Sequence, residues 1–184
     1  MKTPHKSRSL CGAGKIKFYE EGGMAVFVWA RPRFTADIDI VVLLKSAHIS
    51  LLAHALQGLS KASYISADMM RRALERRGEF NFIDGTSGIK VDFFVIGGRP
   101  FDQSQLDRRA AQQILGHRVY FVSPEDLILS KLLWFQMGEY AKQCEDIESI
   151  LKFQKKLDWK YMRKWATIHS TIGVLNELAE KKSS

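Results

Sequence analysis

The fold of this protein is decided by the stretch Asp37-Ile38-Asp39-Ile40-Val41-Val42, in which two aspartates open a run of β-branched residues. Such residues favour a buried strand, which we predict over residues 38–44. Because residues i and i+2 project from the same face of a strand, Asp37 and Asp39 point one way, and the apolar residues that alternate with them point into a core. Two adjacent carboxylates repel each other unless a cation lies between them. The pair therefore predicts a site for a hard divalent cation such as magnesium.

A third carboxylate occurs in a second strand-like run, Lys90-Val91-Asp92-Phe93-Phe94-Val95-Ile96, which follows a turn over residues 84–88. Asp92 is the only acid in that run. If the two strands are neighbours in a sheet, Asp92 joins Asp37 and Asp39 around one or two metal ions. Two ions about 3.5–4 Å apart stabilise both the attacking and the leaving oxygen of a phosphoryl displacement. The three aspartates thus predict metal-assisted phosphoryl chemistry.

The length of 184 residues is enough for one domain with a substantial core and an attached helical lobe. No apolar run reaches the roughly 20 residues of a membrane span. The basic residues 1–14 lack the apolar core of a signal peptide, so we expect a cytoplasmic protein.

Cys11 and Cys144 are isolated, which indicates reduced thiols rather than a disulfide. The five histidines lack the spacing of zinc ligands.

The charge balance favours a polyanionic partner. Lys and Arg number 28 against 20 Asp and Glu, which makes the formal net charge +8 and the sequence pI about 9.5. RNA and nucleotides are partners of that kind. One helix predicted over residues 66–77 carries a cationic face that either contacts RNA or is simply solvated, made of Arg71, Arg72, Arg76 and Arg77.

Periodicity and capping signals predict an α+β chain: an α/β core over residues 1–122 and a helical lobe over residues 123–184, packed as one compact unit. Ser123-Pro124-Glu125-Asp126 has the N-cap serine, first-turn proline and acids of a helix start. We expect Arg108 and Arg109 to be exposed. The predicted strands are 15–19, 38–44, 80–84, 89–96 and 118–122, with 80–84 and 89–96 paired as a hairpin. The predicted helices are 24–30, 47–59, 66–77, 103–115, 124–137, 139–156 and 159–181, the last broken near Gly173.

Two further groups of residues carry alternative interpretations. The pair Gly22-Gly23 precedes a short helix, where backbone N–H groups can approach a phosphate, although a plain turn uses the same residues. Arg33 either pairs with phosphate oxygens or is a solvated loop charge. Lys131 stands in an apolar run, and Asp146 shares a helix face with Gln143. Lys131 and Asp146 therefore form an ion pair between packed helices, or Asp146 aims Lys131 at a triphosphate.

In chain order, these motifs resemble the DNA polymerase beta-like nucleotidyltransferase superfamily, and its small bacterial branch related to abortive-infection toxins in particular. The resemblance spans residues 22–151. The motifs that carry it are Gly22-Gly23-Met24-Ala25, Arg33-Phe34-Thr35-Ala36-Asp37-Ile38-Asp39, Lys90-Val91-Asp92, Ser123 to Leu132 and Gln143-Cys144-Glu145-Asp146-Ile147.

The resemblance implies a nucleotidyltransferase fold, namely a mixed β-sheet flanked by helices and followed by a helical lobe. It implies two Mg²⁺ ions held by Asp37, Asp39 and Asp92, with an NTP as the substrate. An acceptor hydroxyl would attack the α-phosphate, Asp92 would be the candidate base, and pyrophosphate would leave. The resemblance also implies catalytic roles for Lys131 and Asp146. It assigns nucleotide binding to Gly22, Gly23, Arg33, Thr35 and Lys131.

The leading hypothesis is therefore a magnesium-dependent nucleotidyltransferase that modifies a tRNA end, a protein or a small molecule, and that acts as the toxin of a toxin–antitoxin pair. Its partners would be a nucleotide, RNA and a cognate antitoxin protein. Two alternatives stay open. Because Glu20 and Glu21 precede the glycines and would repel a triphosphate, the chain could be a weak or inactive binding module with the same fold. The basic charge also suits a plain RNA-binding domain.

Overall fold

The computed structural model describes residues 16–60, 62–138 and 140–181. The basic residues 1–14 and Cys11 lie outside this part of the chain. The contacts between residues group the chain into two compact units. Among the described residues, the first holds 16–20 and Thr35–Leu106, and the second holds Glu21–Phe34 and those from Asp107 to Lys181. This grouping differs from a division at residue 122, because residues 21–34 and 107–122 belong with the C-terminal helices.

The first unit is a mixed sheet with two complete helices and the larger part of a third, over residues 100–106. Its strands are β1 (Phe18–Glu21, whose last residue begins the second unit), β2 (Asp37–Val42), β3 (Ser63–Tyr64), β4 (Glu79–Asp84) and β5 (Lys90–Val95), in the order β3-β4-β5-β2-β1. Its complete helices are α2 (Ile49–Gln57, after a 3-10 turn at Ser46–His48) and α3 (Ala67–Arg76). Strand β2 pairs parallel with β5, and β4 pairs antiparallel with β5. The predicted hairpin and the predicted neighbourhood of the two aspartate strands are thus confirmed.

One face of this sheet is apolar and packs against the helices. Phe80 and Phe82 of β4 and Phe93 and Val95 of β5 lie in a core that also contains Met70 of α3. The rings of Phe80 and Phe93 stack with their centroids 4.8 Å apart. Because side chains alternate along a strand, burying this set forces the residues between them onto the other face of the sheet.

Helix α3 shows how local signals place the element ends. The Ser66 hydroxyl caps its N-terminus by accepting a hydrogen bond from the Met69 N–H. Arg77 ends it in a left-handed conformation with φ 51°. Strand β1 begins at Phe18 and includes both glutamates, so it lies about three residues later than the predicted strand 15–19.

The second unit is mostly helical. It contains α1 (Gly23–Trp29), the end of α4 (Pro100–Arg108), the hairpin of β6 (Ala110–Ile114) and β7 (His117–Phe121), then α5 (Pro124–Gln136), α6 (Tyr140–Phe153), α7 (Trp159–Ile168) and α8 (Ile172–Lys181). Its core is a seam of side chains from α5 to α8 that are at most 1% exposed, among them Leu127, Leu132, Ile147, Ile150, Met162 and Leu175. None of the helices in the described residues is long and apolar enough to cross a membrane.

The helix predicted over residues 103–115 is wrong in its second half. Helix α4 ends at Arg108, and residues 110–114 form β6 instead. Ala and Gln dominate this segment and favour a helix, but the hydrogen-bonded partner β7 outweighs that local preference. Leu115 and Gly116 close the hairpin with φ values of 49° and 80°. A glycine beside a short apolar run is the signal that indicated this turn.

The predicted exposure of Arg108 and Arg109 is also wrong, since both are partly buried. Arg108 pairs with Glu125 at 3.2 Å and with Asp126 at 3.5 Å. Its guanidinium lies 4.0 Å from the centre of the Tyr161 ring. Burial raises the pKa of Asp126, and the hydrogen bonds from Tyr161 and Ser123 and the charge of Arg108 counteract it. These contacts hold the starts of α5 and α7 together.

The helix start at Ser123 is confirmed, with the Ser123 hydroxyl accepting from the Asp126 N–H and Pro124 in the first turn. The predicted break near Gly173 is displaced. Helix α7 ends at Ile168, Ser170 takes a left-handed φ of 58°, and Gly173 lies inside α8. A serine in the left-handed region is uncommon, so the glycine was the stronger but misleading signal.

We predict that Phe93→Ala lowers the free energy of unfolding by about 3–5 kcal/mol, because it removes a buried ring and leaves a cavity beside Phe80. Phe94→Ala is the matched control, since Phe94 is the next residue of the same strand, faces the other side and is 36% exposed. It should cost clearly less. Urea unfolding of both variants measures the difference, and equal losses would contradict the assigned faces.

Candidate active site

Three carboxylates share the face of the first unit's sheet that lies opposite the apolar core. Asp39 of β2 is the register partner of Asp92 of β5, and Asp37 lies two residues before Asp39. Neighbouring strands are about 4.8 Å apart, so the side chains of Asp39 and Asp92 leave adjacent points of the sheet. Asp37 is exposed, whereas Asp39 and Asp92 are half-buried. The register thus places the three aspartates that the sequence singled out on one face of the sheet, on two adjacent strands.

Lys90 lies on the same face as these carboxylates, and it is not one of the site residues predicted from the sequence. It is the register partner of Asp37, and its Nζ lies 2.8 Å from Oδ2 of Asp92. The hydrogen bond to Asp92 is the main cause that raises the pKa of Lys90, and the charges of Asp37 and Glu79 add to it. The spacing Lys90-x-Asp92 was the available signal, because i and i+2 share a strand face.

Asn81 is a second residue that sequence reasoning missed. It is the register partner of Asp92 on the other side, in β4. Asp39, Asp92 and Asn81 therefore form a row across three adjacent strands, on one face of the sheet. The alternation Phe80-Asn81-Phe82 shows that Asn81 points away from the core. An amide next to a carboxylate can donate a hydrogen bond to it or offer a further oxygen to a hard cation.

The donor set of this face fits a magnesium ion. Three carboxylates from two adjacent strands, with an amide beside them, are the oxygen ligands that hard divalent cations prefer. Among the described residues, no group of three or more His, Cys, Asp or Glu side chains is arranged so that it could hold a metal ion. One oxygen of Asp92 accepts a hydrogen bond from the Lys90 ammonium group.

A second polar cluster, the Arg33–Lys131–Asp146 cluster, lies in the second unit. Arg33 donates two hydrogen bonds to Asp146, from Nε to Oδ1 at 2.8 Å and from Nη2 to Oδ2 at 2.9 Å. Lys131 donates to Oδ2 of Asp146 at 2.7 Å and to the Gln143 side chain at 3.1 Å. The predicted face shared by Gln143 and Asp146 is confirmed, since both bind the same ammonium group. The ion pair between packed helices is confirmed as well.

Burial differs sharply within this cluster. The side chains of Lys131 and Asp146 are 2% and 4% exposed, whereas that of Arg33 is 29% exposed. Burial raises the pKa of Asp146, but the hydrogen bond from Arg33 and the charge of Lys131 outweigh it and leave the pKa of this carboxyl lowered. Asp146 is thus an anion shared by two cations. Of these three side chains, that of Arg33 is the one with substantial exposure to solvent.

The glycine pair precedes the short helix α1 in the same unit. Gly22 is buried and has φ 80°, a conformation that favours glycine, and its carbonyl accepts the Val26 N–H at 3.2 Å. Glu21, directly before it, is only 7% exposed, and its charge acts on Lys131. Glu21 is therefore a buried charge that acts on Lys131 and does not line an open surface.

The remaining predicted residues lie close to these groups in sequence. Thr35 belongs to the first unit, where its hydroxyl donates to the Asp37 carbonyl at 3.3 Å. Arg33 and Asp146 line a groove of the second unit together with Arg31, Ser149 and Lys152. Arg31 is anchored there through its backbone N–H, which donates to the Ser149 hydroxyl at 3.1 Å.

Solved structures with the same fold are nucleotidyltransferases. The chain is 17% identical to an antigenic nucleotidyltransferase-like protein from Paracoccidioides brasiliensis, over 95% of this chain and 89% of that one, with a TM-score of 0.55. It is 14% identical to ANT(2'')-Ia in complex with adenylyl-2''-tobramycin, over 91% and 94%, with a TM-score of 0.58. It is 14% identical to the lincomycin-bound lincosamide antibiotic adenylyltransferase LnuA, over 83% and 98%, with a TM-score of 0.50. The expected nucleotidyltransferase fold is confirmed.

The family follows from the sequence. Residues 12–155 match the model of the nucleotidyl transferase AbiEii toxin family, described as a Type IV toxin–antitoxin system. The chain belongs to this family, and it is a nucleotidyltransferase enzyme. The resemblance to the abortive-infection branch is thereby confirmed. A search of curated proteins finds no match to the sequence.

We predict that Asp146→Ala lowers the free energy of unfolding by about 3–5 kcal/mol, because it leaves the buried Lys131 without its anion. Lys131→Met should cost less, since Asp146 keeps both hydrogen bonds from Arg33. Glu148→Ala on the same helix is the control: its surface pair with Lys181 is partly exposed and is worth about 0–1 kcal/mol. Urea unfolding of the three variants checks this order. A Lys131→Met loss as large as that of Asp146→Ala would contradict it.

Proposed function

We propose that this nucleotidyltransferase is magnesium-dependent and transfers a nucleoside monophosphate from an NTP to a hydroxyl group of an acceptor. The observation that carries the proposal is the register of β2 and β5, which pairs Asp39 with Asp92 and sets Asp37 on the same face. Like charges at that spacing call for a cation. We infer that Asp37, Asp39 and Asp92 hold two Mg²⁺ ions, which would polarise the α-phosphate and stabilise the leaving oxygen.

The reaction balances with the residues at hand. The acceptor oxygen forms a bond to the α-phosphorus, the bond from that phosphorus to the pyrophosphate oxygen breaks, and pyrophosphate leaves. We assign the acceptor's proton to an oxygen of Asp92, the candidate base. We assign phosphate contacts to the partly exposed guanidinium of Arg33. Asp146 orients this group by accepting its hydrogen bonds, and the buried Lys131 binds the same carboxylate. Gly22, Gly23 and Thr35 are further candidates for contacts to the nucleotide.

Asp37→Asn tests the metal site. We expect it to lower the transfer of label from an α-labelled NTP by at least about 100-fold, because it removes one of three charges that hold the ions. Asp68→Asn is the control, since Asp68 is exposed on α3 of the same unit. Label transfer by Asp37→Asn at the wild-type rate would reject the assignment. If the wild type neither transfers label nor releases heat with nucleotide and magnesium, the inactive binding module is the correct alternative.

For the acceptor we propose RNA, and the charge of the second unit supports this choice. A basic surface over residues 152–164 carries six exposed cations, Lys152, Lys155, Lys156, Lys160, Arg163 and Lys164. Asp158 is the only acid in this stretch, and its carboxylate is occupied: it caps the Tyr161 N–H at 2.9 Å and lies 4.0 Å from Arg108. Arg163 lies over the ring of Trp159, 6.0 Å from its centre, so an aromatic face accompanies the charges.

The cationic face of helix α3 is less suited to binding a polyanion such as RNA. Arg71 pairs with Asp68, and Glu75 and Glu79 lie among the remaining arginines. Within residues 152–164 Asp158 is the one acid, although Glu148 lines a groove with Lys152 and Glu180 lines one with Arg163. An RNA that docks through its phosphates should therefore prefer the basic surface.

We predict that Lys155→Glu, Lys156→Glu and Lys160→Glu together weaken the binding of a fluorescein-labelled RNA stem-loop. They should also reduce the slope of log affinity against log salt by about 2, as expected for three lost phosphate contacts. The control reverses three charges on α3, through Arg71→Glu, Arg72→Glu and Arg76→Glu. Fluorescence anisotropy over a salt series measures both. A larger loss in the α3 variant would assign RNA to that helix, and salt-independent binding would reject the RNA acceptor.

Two further partners complete the proposal. We infer a cognate antitoxin protein that counteracts this enzyme, and a location in the cytoplasm, where nucleotides are available. The description of the family as a Type IV toxin–antitoxin system supports the antitoxin. Co-expression with the product of the neighbouring gene tests this by relief of growth arrest. A small antibiotic is the second acceptor class, because LnuA is bound to lincomycin and ANT(2'')-Ia to an adenylylated tobramycin. Label transfer to either drug would favour it over RNA.

A further inference from the structure

The ammonium group of Lys90 occupies the position next to Asp92 that a metal ion would need. Its Nζ lies 2.8 Å from Oδ2 of Asp92, a charge-assisted hydrogen bond of normal length. The two residues lie two apart on β5, so both point to the carboxylate face. Asp37 is the register partner of Lys90 on β2. The cation is therefore bound to Asp92 and lies on the same face as Asp37 of the neighbouring strand.

The side chain of Lys90 is free to move away from this position. It is 44% exposed, whereas that of Asp92 is 18% exposed. A lysine has a flexible four-carbon stem, and its ammonium is readily hydrated, so leaving the carboxylate costs little once another cation replaces it. Asp92, in contrast, is held in the register of the sheet between β2 and β4.

We propose that Lys90 is a built-in counter-cation, which neutralises Asp92 until a divalent ion displaces it, and that the displaced ammonium then pairs with a phosphate of the incoming nucleotide. This inference rests on the proposed metal site. The binding of the metal and the binding of the nucleotide therefore strengthen each other. The metal alone breaks the Lys90–Asp92 ion pair and leaves Lys90 without a partner. Metal and nucleotide together give a new partner to both Asp92 and Lys90. Lys90 is thus a positioning residue of the carboxylate face.

Lys90→Met tests the proposal through binding of Mn²⁺, measured by the electron paramagnetic resonance signal of the free ion. We expect the variant to bind Mn²⁺ alone about tenfold more tightly than the wild type, a normal size for a coupling between two sites. A non-hydrolysable NTP analogue should tighten Mn²⁺ binding in the wild type and do so much less in the variant. Lys90→Arg, which keeps the cation, should behave as the wild type does.

Arg72→Met is the matched control, since it removes one positive charge from the exposed face of α3 in the same unit. It should leave the Mn²⁺ affinity unchanged. The thermal midpoint of unfolding provides a second readout. Mn²⁺ should raise this midpoint more in Lys90→Met and in Lys90→Gln than in the wild type. Equal Mn²⁺ affinities of wild type and Lys90→Met would overturn this inference and leave the metal site standing. Absence of Mn²⁺ binding in every variant would reject the proposed metal site and this inference together.

Discussion

The burial of the apolar face of the sheet is the constraint on which the first unit depends, and it places Asp39 and Asp92 on the opposite face. The two residues are partners in a parallel strand pair, and a third aspartate, Asp37, lies on the same face. Their positions follow from the opposite face, where Phe80, Phe93 and their neighbours form the core. A shift of one residue in β2 or β5 would turn aspartates into that core and expose its apolar residues. The hydrophobic effect thus fixes three carboxylates on one face, and Lys90 of that face pairs with one of them, Asp92.

The second unit solves a different electrostatic problem. Lys131 and Asp146 are almost fully buried, and burying two charges costs more than their attraction returns unless further hydrogen bonds complete the set. Gln143 and Arg33 provide those bonds. The arrangement is therefore a poor choice for stability alone, and its effect is to hold the fork of Arg33 in one orientation at the surface. This is the physical argument for giving Arg33, rather than Lys131, the direct contact with phosphate.

Much of the fold was predictable because its signals are local. The alternation in β2, the hairpin of β4 and β5 and the serine cap of α5 each depend on a few consecutive residues. Residues 110–114 were mispredicted because Ala and Gln favour a helix, and only the partner strand β7 makes them a strand. The end of α7 was misplaced because Ser170, rather than Gly173, takes the left-handed conformation. In both places a contact distant in sequence, or an uncommon backbone conformation, outweighed propensity.

For the candidate site, the sequence by itself was enough to single out the residues to which we assign the chemistry: Asp37 and Asp39 by their spacing, Asp92 as the lone acid of its strand, and Lys131 with Asp146. Which of these side chains are in contact was decided by the tertiary structure alone. Strand register placed Lys90 and Asn81 beside Asp92, and the packing of α5 against α6 made Asp146 common to Lys131 and Arg33. The reason is that charge and periodicity are written along the chain, whereas the neighbours of a charge depend on which strands and helices pack together.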